Sequence, residues 1–182
     1  MGTKRPTKRG ISLFRAKDAV NLEDTDFMSA PEMSPDTAAA MTACFVAGMG
    51  TGAQTKVVLR QSEAEGGFSL VTIWLKPGFP LPRHTHDADC LYYVLSGTAV
   101  MGRQTLRAGD GFFVPKDAPY QYSGGPDGAE VLEIRRGVES FDMQISDVTP
   151  ESVSAMLELT EARRDQWERM DVSPTTAANV AR

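Results

Sequence analysis

The feature that most constrains the fold is a series of short apolar segments, separated by turn residues, that begins near residue 55. The clearest segments are residues 55–61, 68–75, 90–96 and 129–136. They are rich in β-branched and aromatic residues, which favour the pleated backbone of a strand. Glycine and proline punctuate them, as in Pro77-Gly78 and Gly124-Gly125-Pro126-Asp127. This pattern predicts an all-β sandwich or barrel.

The chain has a different character on both sides of this region. Residues 1–12 are predicted to be a disordered basic arm, and the alanine-rich patch 37–49 is compatible with a helix or a strand. Thr149-Pro150-Glu151 is typical of a helix start, and apolar residues at helical spacing extend that helix to about Met170. Residues 173–182 are expected to be a frayed tail.

These patterns divide the chain into three parts. We expect an N-terminal arm and wrapping segment over residues 1–50, a barrel over residues 51–148, and a C-terminal helix over residues 149–172. The helix would pack on the barrel or on a dimer partner.

Length, composition and charge narrow the class of protein. With 182 residues the chain is long enough for one domain, and 41% hydrophobic and 24% charged residues are ordinary for a globular protein. A net charge of −5 argues against a nucleic-acid partner, because phosphate binding needs concentrated positive charge. No apolar run approaches the roughly 20 residues that cross a bilayer, and Cys44 and Cys90 are too few for a disulfide framework. We expect a cytoplasmic protein without a membrane partner.

Both histidines of the chain lie in one tripeptide, His84-Thr85-His86. Residues i and i+2 of a strand point to the same face, so the two imidazoles project together. Such a pair suits zinc, iron, nickel, copper or manganese. The alternative is a pair of surface histidines without a metal. The sequence predicts one divalent metal ion per chain and leaves its identity open.

Two glycine-anchored motifs surround this pair. The segment from Gly78 to His86, with Gly97 ending the hairpin, resembles the first conserved motif of the cupin superfamily, and the segment from Gly109 to Tyr120 resembles the second. The resemblance covers about residues 55–138. It implies a double-stranded β-helix, or jelly-roll barrel, often dimeric, with a metal between the motif residues. We therefore predict an all-β cupin barrel with an N-terminal extension and a C-terminal helix, and a homodimer.

The sequence departs from the cupin pattern at two ligand positions. Cys90 stands where the usual glutamate ligand falls, and Tyr120 stands at the place of the third histidine. Cys90 is either a thiolate ligand or a small buried hydrophobe. Tyr120 either packs in the barrel or brings its phenol to the metal, as a ligand or as a base. The candidate metal ligands are His84, His86, Cys90 and Tyr120.

A second tyrosine shares the predicted lining. Tyr92 has the parity of Cys90 on its strand and should face the cavity. Because the resemblance extends to small cupin lyases that use a tyrosine as base, Tyr92 and Tyr120 are the candidate catalytic residues.

Four charged residues have weaker assignments. Glu133, on the strand after the second motif, is either an inward acid beside the ligands or exposed. Asp87 and Asp89 are interpreted as loop acids that could supply an oxygen. Arg83 is interpreted as a rim residue able to attract an anionic substrate.

These residues lead to two functional hypotheses. The first is a metal-dependent enzyme acting on a small organic molecule, with a redox-neutral lyase, isomerase or cyclase favoured over a dioxygenase because the ligand set lacks the glutamate and the third histidine. The second is a non-catalytic small-molecule-binding or metal-binding cupin. No helix-turn-helix is evident, which argues against a self-contained transcription factor.

Overall fold

The computed structural model describes residues 10–28, 33–136, 142–146 and 148–180. Most of the predicted arm, residues 1–9, therefore lies outside the described residues. The strands of the described part are β1 Val20–Asn21, β2 Ala53–Arg60, β3 Phe68–Leu75, β4 His84–His86, β5 Cys90–Met101, β6 Gln104–Arg107, β7 Gly111–Val114, β8 Ser123–Arg136 and β9 Met143–Ile145, and the α-helices are α1 Pro35–Val46, α2 Pro150–Glu168 and α3 Pro174–Val180.

A large antiparallel sheet forms one wall of the barrel. Its strand order is β1-β2-β3-β8-β5-β6, and β7 also pairs with β5. The long strand β8 lies between β3 and β5, and its register places Glu133 opposite both Val71 and Tyr92. Directly paired residues point to the same face of a sheet. The strands β3, β5 and β8 therefore present one common interior face, on which Glu133 lies.

A second, two-stranded sheet faces this interior. β4 pairs with β9, which places His84 opposite Ile145 and His86 opposite Met143. His84 and Tyr120 also exchange both backbone hydrogen bonds, each 3.0 Å long. The side chain of His86 contacts Arg135 of β8, so the two sheets meet face to face. The predicted all-β barrel architecture is confirmed.

The predicted strand segments lie where the structure has strands, but the predicted segment 90–96 ends too early. The predicted segment 68–75 coincides with β3, whereas β5 continues past Gly97 to Met101. Gly97 does not end the hairpin, as the sequence suggested, but lies at an irregularity in the β5–β8 ladder with φ of +69°. A Cβ atom there would lie 2.2 Å from the carbonyl oxygen of Gly128. Glycine is therefore required by a close strand approach and not by a turn.

The helices begin at side-chain caps. Residues 35–46 of the ambiguous apolar patch are helical in α1, whose first turn is capped by Ser34. Thr149 and Ser152 form reciprocal caps at the start of α2, so the predicted C-terminal helix is confirmed. No helix in the described part of the chain is long and apolar enough to span a membrane. The division into segments 1–50, 51–148 and 149–172 stays a prediction.

Trp167 attaches α2 to the barrel of the same chain. Its side chain is fully buried, and its indole Nε1–H donates to the carbonyl oxygen of Pro77 at 3.0 Å. Its ring meets that of Phe79 edge to face, with 5.6 Å between centroids. Lys76 donates to the backbone oxygen of Trp167 at 2.5 Å. Apolar burial and two hydrogen bonds thus fix the end of the helix.

The predicted frayed tail is wrong for residues 174–180, which form α3. Its N-terminal residues bind the buried carboxylate of Glu130 on β8. Ser173 donates its hydroxyl to Glu130 at 2.9 Å, and the backbone N–H of Thr175 donates to it at 3.0 Å. A buried carboxylate needs such donors. The segment is therefore ordered by a partner that lies far away in sequence.

Replacing Trp167 should test the attachment of α2. We expect Trp167→Ala to lower the free energy of unfolding by about 3–5 kcal/mol, because it opens a cavity and removes the indole donor. Trp167→Phe keeps most of the apolar contact and should cost less. Urea unfolding measures both, with the half-exposed Val172→Ala as control. A cost below about 0.5 kcal/mol for Trp167→Ala, which is typical of a surface substitution, would contradict this packing role.

Candidate functional site

The barrel interior contains a buried group of polar and aromatic side chains, which we call the inner cluster. β4, β5 and β8 and the segment that follows β7 contribute to it. Its members are all nearly inaccessible to solvent. They are His84, His86, Cys90, Tyr92, Tyr120, Tyr122, Glu133 and Arg135. The five residues predicted as ligands or catalytic groups all lie in this cluster.

Backbone carbonyls set the tautomer of both histidines. The Nδ1 atom of His84 lies 2.7 Å from the carbonyl oxygen of Pro82, and that of His86 lies 2.7 Å from the carbonyl oxygen of Asp142. Because a carbonyl oxygen only accepts, each Nδ1 carries the proton. Each neutral ring therefore has its lone pair on Nε2. This is the arrangement in which histidines bind metals through Nε2.

Burial keeps both imidazoles neutral. It lowers the pKa of His84 to about 4, an effect to which the charge of Arg135 adds. It also lowers the pKa of His86 to about 3, again with a contribution from Arg135. Metal ligation requires neutral imidazole, so neither histidine needs to lose a proton at neutral pH.

Glu133 and Arg135 form an ion pair inside the barrel. The Nε atom of Arg135 donates to Oε1 of Glu133 at 2.6 Å, and both side chains are about 1% exposed or less. Burial raises the pKa of Glu133, whereas the charge of Arg135 opposes that rise. The pair neutralises two charges that would each be costly to bury alone.

The same guanidinium lies against His86. Its Nη2 atom is 2.8 Å from Nδ1 and 3.0 Å from Nε2 of the imidazole. Nearly equal distances to both nitrogens place Nη2 against the ring and not in line with one lone pair. Arg135 thus links a carboxylate of the large sheet to an imidazole of the small sheet.

Cys90 faces the interior, as its parity predicts. Its sulfur donates to the carbonyl oxygen of Ala88 at 3.3 Å. Burial, assisted by the nearby charge of Glu133, raises the pKa of the thiol to about 12. The thiol is therefore protonated at neutral pH unless a cation stabilises the thiolate.

Three side chains form a hydrogen-bonded chain. The hydroxyl of Tyr120 lies 2.8 Å from Nε2 of His84 and also contacts the hydroxyl of Tyr92. Since Nε2 of His84 carries no proton, Tyr120 donates to it, and Tyr92 in turn donates to Tyr120. Burial, followed by the charge of Glu133, raises the pKa of both phenols. Their predicted role as a base stays a prediction, and it requires a cation that lowers these pKa values.

The four charged residues with weaker assignments differ in their burial. Glu133 points inward, whereas Asp87 and Asp89 are exposed, and Asp89 accepts a hydrogen bond from the backbone N–H of Lys116 at 2.8 Å. Arg83 is half-buried beside β4. Sequence reasoning missed Arg135. Its period-2 relation to Glu133 is the signal that could have found it, because one inward acid on a strand implies that its second neighbour is also inward.

The donors fit a divalent metal ion. One nitrogen of His86, the sulfur of Cys90 and a carboxylate oxygen of Glu133 lie within 4.8 Å of one another. The adjacent ring of His84 lies 4.8 Å from that of His86 between centroids. Nitrogen, sulfur and carboxylate donors together match the preference of zinc. The set differs from the predicted one because Glu133 is included and Tyr120 bonds to His84.

Solved structures offer a comparison for the barrel. No family model and no curated protein matches the sequence. The polyketide cyclase RemF from Streptomyces resistomycificus is similar over 61% of this chain and 82% of its own, with 17% identity and a TM-score of 0.47. A cupin-like protein from Thermotoga maritima is similar over 57% of this chain and 84% of its own, with 18% identity and a TM-score of 0.46. An RmlC-like cupin from Shewanella frigidimarina is similar over 48% of this chain and 78% of its own, with 22% identity and a TM-score of 0.43.

The fold is an antiparallel β-barrel, as the two cupin-like motifs predict. The structure itself supports this description, because the His-x-His strand of the first motif and Tyr120 of the second are paired through their backbones beside the inner cluster. The identities below 25% and TM-scores below 0.5 transfer no activity from the three proteins to this barrel.

Removing one partner of the ion pair should destabilise the barrel more than replacing both partners. We expect Arg135→Met to lower the free energy of unfolding by about 3–5 kcal/mol, because it leaves the carboxylate of Glu133 buried without a counter-charge. The double variant Glu133→Gln/Arg135→Met should recover a large part of that loss. Urea unfolding in the presence of a chelator measures both, with the exposed Arg136→Met as the matched control. A double variant no more stable than Arg135→Met would contradict the pairing argument.

Proposed function

We propose that this cupin barrel binds one divalent metal ion in the inner cluster and is a metal-dependent enzyme acting on a small organic molecule. The observation that carries the proposal is the tautomer of the two histidines. Both donate Nδ1–H to backbone carbonyls, so the lone pair of each ring lies on Nε2. In His84 a metal would replace the hydrogen bond that Nε2 accepts from Tyr120.

Four residues would hold the metal. Three of them lie within 4.8 Å of one another: His86 would supply nitrogen, Glu133 a carboxylate oxygen, and Cys90 sulfur once its proton is lost. His84 would supply the second nitrogen from the ring adjacent to His86. When bound, the metal supplies Lewis acidity, which polarises a carbonyl or carboxylate group of the substrate. The buried surroundings keep this part of the barrel dry, which strengthens electrostatic interactions inside it.

The tyrosines would move protons. Tyr92 and Tyr120 are linked hydroxyl to hydroxyl, and Tyr120 reaches His84. A phenol beside a cation has a lowered pKa and can accept or donate a proton during the reaction. Such proton transfer favours redox-neutral lyase, isomerase or cyclase chemistry over a dioxygenase reaction. The partner is a small molecule, and we propose a homodimer without a nucleic-acid or membrane partner.

One observation favours a second candidate function. Arg135 pairs with Glu133 and lies against His86, so the guanidinium by itself balances the one carboxylate of the inner cluster. This arrangement is what a non-catalytic, small-molecule-binding cupin would need. Metal content and turnover separate the two functions.

Elemental analysis of protein purified without chelators is the first test. We expect near-stoichiometric metal, lost in His84→Ala and in His86→Ala because each removes one imidazole donor. Asp87→Asn is the matched control, since this exposed acid directly follows His86. Absence of metal even after reconstitution would rule out the metal-dependent enzyme and leave the binding barrel.

Tyr120→Phe tests the proton-transfer role. The variant removes only the hydroxyl that donates to His84, so it should retain the metal and lose about 10²- to 10⁴-fold in turnover. Turnover is measured on the first substrate found by screening the metal-loaded protein against small carbonyl compounds and carboxylic acids. If Tyr120→Phe instead lost the metal, Tyr120 would be a ligand and the proton-transfer role would be wrong.

A further inference from the structure

We infer that Arg135 competes with the metal ion for Glu133 and thereby sets the affinity of the inner cluster for metal. The inference rests on the proposed metal site. The guanidinium already supplies, at this place, the positive charge that the metal would bring, so one cation has to give way when the other binds.

The first step is the shared carboxylate. Arg135 holds Oε1 of Glu133 at 2.6 Å through a charge-assisted hydrogen bond, the strongest class of such bonds in proteins. Glu133 is also the only carboxylate of the candidate metal group. A metal ion that binds either oxygen of this carboxylate therefore draws its negative charge away from Arg135.

The second step is the position of the guanidinium charge. Nη2 of Arg135 lies 2.8 Å and 3.0 Å from the two nitrogens of His86, so the cation lies against a candidate ligand ring. A metal bound to Nε2 of that ring would lie about 2 Å from the nitrogen. Two cations would then face each other in a buried region, where their repulsion is much less screened than in water.

The third step is that Arg135 has a second anchor at the same place. Its Nη1 atom donates to the carbonyl oxygen of Asp142 at 3.4 Å, the carbonyl that also accepts from Nδ1 of His86. Arg135 is thus held by groups on both sheets of the barrel. Arg135 is therefore held in a defined position. The free energy gained by binding the metal must exceed the free energy lost by displacing the guanidinium.

The affinity for zinc tests this competition. Zinc binding is measured by competition with a chromophoric chelator for the wild type, Arg135→Gln and Arg135→Lys. We expect Arg135→Gln, which removes the charge, to bind zinc at least about tenfold more tightly than the wild type. Arg135→Lys retains a competing cation and should remain closer to the wild type. Arg136→Gln is the matched control, because this neighbouring arginine is exposed and its loss should leave the affinity unchanged.

A measurement on the wild type covers the case in which Arg135→Gln does not fold. A buried arginine that is hydrogen-bonded through Nε gives a slowly exchanging Nε–H signal in nitrogen-15 NMR spectra. The signal is assigned by its loss in Arg135→Lys. We expect zinc to shift it and to accelerate its exchange with water, because the bond to Glu133 is broken.

The outcomes distinguish this inference from the proposed function. Tighter binding by folded Arg135→Gln, or a shifted and faster-exchanging Nε–H signal, supports the competition. If the wild type binds zinc while folded Arg135→Gln binds it no more tightly and the Nε–H signal is unchanged, the competition is wrong and the metal site stands. If neither the wild type nor any Arg135 variant binds zinc, the zinc site and the competition both fail.

Discussion

The interior of this barrel depends on the buried ion pair between Glu133 and Arg135. Both residues lie on β8, which pairs with β3 on one side and β5 on the other. Taking either charge out of water alone would cost several kcal/mol. Together they form a neutral pair, and the side chains around it are arranged by contact with that pair. Cys90 has its sulfur within 4.8 Å of the Glu133 carboxylate, Tyr92 lies opposite Glu133 in the β5–β8 ladder, and Arg135 contacts His86 on the opposite sheet.

The parts of the fold that the sequence predicted are those decided by local patterns. β3 is a largely apolar segment between turns, and its bounds match the prediction. The inward direction of His84, His86, Cys90 and Tyr92 follows from period 2 within single strands. The start of α2 follows from two adjacent residues, the capping Thr149 and Pro150 in the first turn.

The parts that were missed depend on contacts between distant segments. α3 is ordered because Ser173 and Thr175 bind Glu130, which is 43 and 45 residues away. The bulge at Gly97 exists because β8 approaches closely at Gly128. Arg135 was overlooked because a charged residue on a strand ordinarily faces solvent. Its inward position makes sense only with Glu133 beside it and His86 opposite, and that pairing is a property of the tertiary structure.

The protonation state of the inner cluster explains what a cation would change there. Burial leaves both imidazoles neutral and raises the pKa of the Cys90 thiol to about 12. One carboxylate is balanced by one guanidinium, so the cluster carries no net charge. A divalent ion would upset this balance in a region that water cannot screen. Two groups can restore it: Arg135 by moving its charge away, and Cys90 by releasing its proton and becoming a thiolate ligand. Metal binding at the inner cluster would therefore exchange the charge of Arg135 for that of the ion, and Cys90, which stands where the usual cupin glutamate falls, could add a negative charge.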